Sequence, residues 1–75
     1  MRNAPQDREL WQKLYYKYPK AYQRRRLEAI KFMWDGYKQV DVCERIGCDR
    51  KTLHKWIDLY LSGGFTSLLE PIQSN

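Results

Sequence analysis

Arg50, Lys51, His54 and Lys55 are spaced by one, three and four residues, so a helix would carry all four on one outward face. Each can donate hydrogen bonds, and the Arg and Lys side chains carry fixed positive charge. Arg50 and Lys51 suit guanine O6 and N7, and a His54 N–H can reach a purine N7 or a phosphate. The chemistry on offer is recognition of a polyanion with readable edges, with no bond made or broken. His54 is the lone histidine and has no nucleophile or partner carboxylate at a spacing that would make it a catalytic base. Cys43, Cys48 and His54 offer too few metal ligands at a poor spacing, so neither a metal nor a cofactor is expected. The two cysteines do not make a disulfide framework either, which fits a reducing cytoplasm.

Such a face needs a helix that starts cleanly and a second helix to brace it. Asp49 is placed to cap the start, its carboxylate accepting the amide of Lys51 or Thr52. The capped helix is predicted to run to about Leu61, with Leu53, Trp56, Ile57 and Tyr60 turned inward. Ser62-Gly63-Gly64 should end it, a turn through Phe65–Glu70 should fold back, and Pro71 should close that turn. Ahead of Asp49, a short helix over Gln39–Ile46 sets Val42, Cys43 and Ile46 on one side. Cys43 is the small residue that lets two helices cross closely, and Gly47 is the glycine of the tight turn. With Asp49, Leu53 and Trp56 they complete the frame of a helix-turn-helix. Lys38, Gln39 and Thr52, with the free amides at the start of the Gln39 helix, are where a phosphate clamp is expected.

Two further helices precede this pair. Leu10, Trp11, Leu14, Tyr15 and Tyr18 make an apolar stripe, and Pro19 separates the first helix from the second. A helix from about Lys20 to Asp35 would bury Leu27, Ile30, Met33, Trp34 and Tyr37, with Arg24, Glu28, Lys31 and Asp35 in water and Gly36 as its stop. The expected fold is all-α, a small helical bundle containing a helix-turn-helix with an extra N-terminal amphipathic helix. Its divisions are that helix over residues 1–19, the helix-turn-helix domain over 20–71 and a tail over 72–75.

Charge narrows the partner. Fourteen basic and nine acidic residues give +5 on 75 residues, and the excess lies in the first third and in the Arg50–Lys55 cluster. Arg24 and Arg25 are further candidates for phosphate contacts, against the plain alternative of a solvated helix face. A chain this short encloses no sizeable pocket, so it is not expected to be an enzyme. No run approaches a membrane span, and Met1–Asp7 carries no apolar signal core.

The stretch from Gln39 to Trp56 resembles the helix-turn-helix domains of bacterial insertion-sequence transposases of the mariner-like superfamily. The flanks are similar too, at Arg25-Arg26-Leu27, Gly36-Tyr37-Lys38-Gln39, Gly63-Gly64-Phe65 and Leu68-Leu69-Glu70-Pro71. Together they cover about Tyr22 to Pro71. The resemblance implies recognition of the terminal repeats of a mobile element in a bacterial nucleoid, beside a separate catalytic protein or domain that cuts and joins DNA.

These readings converge on sequence-preferring binding of double-stranded DNA. A small autonomous transcriptional regulator and an accessory DNA-recognition subunit are the alternatives within that class, and a homo-oligomer would suit a palindromic site. Outside it stands a protein–protein interaction module, whose warrant is the Trp11, Leu14, Tyr15 and Tyr18 stripe if that stripe stays unburied. No membrane partner is expected.

Overall fold

The computed structural model describes residues 5–69, so Pro71 and the tail over 72–75 lie outside the described residues. The chain forms α1 (Pro5–Lys17), α2 (Ala21–Trp34), α3 (Gln39–Ile46) and α4 (Arg50–Leu69), with no strand among the described residues. The all-α expectation holds. Leu27, Ala29 and Ile30 of α2 are fully buried and meet Val42 of α3 and Leu53 and Leu68 of α4, so α2 is the post around which the other helices stand.

The end of α2 shows how local sequence fixes the path. The Gly36 amide donates to the Met33 carbonyl at 3.2 Å and the Tyr37 amide to the Phe32 carbonyl at 3.1 Å. Tyr37 then packs on Phe32, ring centres 5.0 Å apart, which completes the hydrophobic contact usual for this helix stop. That contact leaves Met33 and Tyr37 half-buried at the core margin, not inside it as the periodicity predicts.

α4 departs most from expectation. Its helix runs through Ser62 and Gly63, breaks at Gly64 (φ 70°, ψ −161°) and resumes at once through Leu69. The predicted end at Leu61 is corrected, and the turn expected to fold back from Phe65 does fold back but is helical as far as Leu69. The sharp bend at Gly64 lets a second short helical stretch return Phe65, Leu68 and Leu69 to the core. Phe65 there joins Trp34 and Tyr60, with ring centres 5.0–6.0 Å apart in tilted and edge-on arrangements.

α1 lies on α2. Trp11 donates its indole N–H to the Leu27 carbonyl at 2.6 Å and stacks on Tyr15, whose hydroxyl donates to Glu28 at 2.9 Å. That bond and partial burial push the Tyr15 hydroxyl above its ordinary pKa. Tyr60 ties α1 to α4 by donating to Asp7 at 2.7 Å. Trp11, Leu14, Tyr15 and Tyr18 are thus used inside the chain, while Leu10, predicted to join them, is 44% exposed. Leu10 sits at the edge of a stripe on a helix that contacts its neighbours on one side only.

Candidate nucleic-acid interface

The helix-turn-helix forms where the spacing places it. Gly47 takes φ +83° at the end of α3, and the amides of Gly47 and Cys48 both donate to the Cys43 carbonyl, at 2.8 and 3.1 Å. A side chain is strained in that left-handed conformation, so the turn calls for glycine. Cys43 is buried at the crossing, and Cys48 is half-buried beside it. Burial, and then the neighbouring Cys43, push the Cys48 thiol above its ordinary pKa.

Asp49 caps α4 by accepting the Thr52 amide at 2.7 Å. Hydrogen bonds from the side chain and backbone of Thr52 hold the Asp49 carboxyl below its usual range. Thr52, expected at a phosphate, is thereby half-buried and engaged with the cap. Leu53 and Trp56 are buried below it.

With these two anchored inward, Arg50, Lys51, His54 and Lys55 are exposed along the outer side of α4. The start of α3 reaches them. The Gln39 side-chain oxygen accepts from Arg50 Nη2 at 3.2 Å and lies 2.8 Å from His54 Nε2. The structure therefore brings a predicted clamp residue and two predicted base readers into one polar junction, with Lys38 exposed immediately before it. Lys51 and Lys55 extend the basic surface along the helix, and exposed Asp58 stands beyond them.

The arginine run is placed differently. Arg24, expected to face water, is half-buried. Its Nε donates to the Tyr15 carbonyl at 3.1 Å, and its guanidinium covers the Tyr15 ring at 4.5 Å. Arg25 is exposed and donates to the Gly47 carbonyl at 3.0 Å. Arg26 donates to the Leu68 carbonyl at 2.9 Å and lies over the Tyr22 and Trp56 rings, and burial lowers its pKa from the ordinary value. Three consecutive arginines of α2 thus fasten three elements, namely α1, the α3–α4 turn and the return of α4. A solvated face and a phosphate-gripping face are both incomplete descriptions of this run. On the helix-turn-helix, Lys38, Arg45, Lys51 and Lys55 are exposed and make no hydrogen bond to a carbonyl or carboxylate among the described residues, with Arg45 lying over the Phe32 and Tyr37 rings.

Gln23 and Arg26 were not among the expected site residues. Gln23 is buried and donates to the Leu69 carbonyl at 3.1 Å. Both bond to carbonyls in the stretch after Gly64, so their roles emerge only once that stretch is known to fold back. Phe65, Leu68 and Leu69 spaced by three and one residues were the available signal.

No helix among the described residues is long and apolar enough to cross a membrane. Residues 20–69 match the model of the homeodomain-like domain, which is 50 of the 75 residues. No curated protein and no solved structure gives a significant match to the chain. The matched span begins at the residue before α2 and ends at the last residue of α4, leaving α1 as an addition to the family's unit. The chain belongs to the homeodomain-like family, and its α2, α3 and α4 form a helix-turn-helix DNA-binding domain.

Proposed function

We propose that this domain binds double-stranded DNA with sequence preference, laying the first turns of α4 in the major groove. Arg50, Lys51, His54 and Lys55 face the base edges, and Lys38 with the leading amides of α3 holds the phosphate backbone. The observation that carries this reading is the junction at Gln39, where the start of α3 meets Arg50 and His54 on the exposed side of α4. In this reading the domain recognises DNA, and any chemistry on that DNA belongs to another protein or domain. The target we favour is the terminal repeat of a mobile element, supported by the resemblance over Gln39–Trp56 and its flanks. An operator bound by a small regulator would use the same surface. The interaction-module reading loses support because Trp11, Leu14 and Tyr15 pack against the chain itself.

Titration of the chain with random and selected duplexes at several salt concentrations tests the proposal. Roughly six phosphate contacts would give log K falling against log salt with a slope of about −5. The selected duplex should hold an advantage over the random one at each salt. Equal affinity for both duplexes, or affinity that ignores salt, would overturn the reading.

A further inference from the structure

Gln39 opens α3, and its side-chain oxygen is shared by two side chains of α4, Arg50 Nη2 at 3.2 Å and His54 Nε2 at 2.8 Å. A guanidinium nitrogen can only donate. The carboxamide must therefore turn its oxygen toward Arg50, because its NH2 group there would set donor against donor. An amide oxygen only accepts, so the hydrogen-bonded His54 must carry its proton on Nε2. A neutral imidazole protonated on Nε2 has a free lone pair on Nδ1. His54 is exposed, and among the described residues its Nδ1 has no partner.

We propose that Gln39 is a positioning residue that fixes His54 as a hydrogen-bond acceptor toward DNA. The base facing His54 is then one that presents an amino group in the major groove, adenine through N6 or cytosine through N4. This inference rests on the reading of α4 as the recognition helix. It reverses the expectation that His54 donates to a purine N7, since the Nε2 proton is held by Gln39. The same Gln39 oxygen accepts from Arg50 and steadies it, and the remaining N–H groups of Arg50 stay available for guanine. The NH2 group of Gln39 is left with donors for a phosphate, so one residue serves both the clamp and the readout.

Long-range 1H–15N NMR of the free protein at about pH 8, where an imidazole is ordinarily neutral, reads the tautomer directly. The expected spectrum has the His54 proton on Nε2 and a pyridine-like Nδ1. A proton on Nδ1 would overturn the inference. Duplex selection by the unaltered protein should favour adenine or cytosine at one position by roughly fivefold over the other bases. Gln39→Met keeps the length and removes the acceptor, so it should flatten that preference, while the loss of the phosphate contact lowers affinity for all duplexes alike. A preference that survives Gln39→Met, or one for guanine or thymine at the position His54 faces, would overturn the inference while DNA recognition stands. Failure of the unaltered protein to bind any duplex would overturn the reading beneath it, whatever tautomer His54 shows.

Discussion

At the scale of single residues, side chains that face DNA are distinct from side chains that hold the fold. Arg50 and Lys55 are exposed on α4 and belong to the first group. Replacing either by Ala should cost about 1–3 kcal/mol of binding to a selected duplex and relax the preference at one base position. Fluorescence anisotropy followed by repeat selection would measure both, and unchanged affinity and preference would remove that residue from the interface. Asp49 belongs to the second group. Its carboxyl is held below the usual range by Thr52, so its contribution to stability is present above the unfolded-state value of about 4 and is lost as pH falls through the lower folded-state value. Asn also caps helices but does not titrate. Asp49→Asn should therefore lose less melting temperature than the unaltered protein between about pH 5 and pH 2. Parallel losses in the two proteins would mean that the cap does not respond to acid.

At the scale of helices, α4 shows both the reach and the failure of periodicity. Asp49 as cap, Gly47 as turn, and Leu53, Trp56 and Tyr60 as inward positions were all legible, because each depends on neighbours a few residues away. The break was misplaced because two adjacent glycines and a serine look like the end of a helix. Gly63 is in fact helical, and a Cβ there would collide with the Ser67 side chain, whereas Gly64 alone carries the bend. Its φ of 70° with ψ of −161° lies in a region that residues with a side chain scarcely enter. Gly64→Ala should thus destabilise the fold by about 1–3 kcal/mol in urea unfolding. Undiminished stability would mean that the return of Phe65, Leu68 and Leu69 does not depend on this bend. The arginine run was illegible for a different reason. Arg24, Arg25 and Arg26 bond to the carbonyls of Tyr15, Gly47 and Leu68, partners that only tertiary folding brings near. A charge pattern along one helix contains no trace of them.

For the whole molecule, the surplus of five positive charges is less informative than where those charges end up. The Arg24–Arg26 run turns inward or along the helix junctions, and the exposed basic margin of the helix-turn-helix is Lys38, Arg45, Arg50, Lys51 and Lys55. α1 brings its own lysines but is fastened to α2 and, through Asp7, to Tyr60 on the core side of α4. It braces the body and leaves the start of α4 uncovered. The central claim is thus spatial, that DNA meets the chain at the start of α3 and the first turns of α4. Its most direct test is an amide-by-amide NMR titration of the protein with a selected duplex. The largest shifts are expected from Lys38 to Gln39 and from Gly47 to Lys55, with residues 7–17 of α1 little changed. Shifts concentrated on α1, with the first turns of α4 unmoved, would contradict the claim.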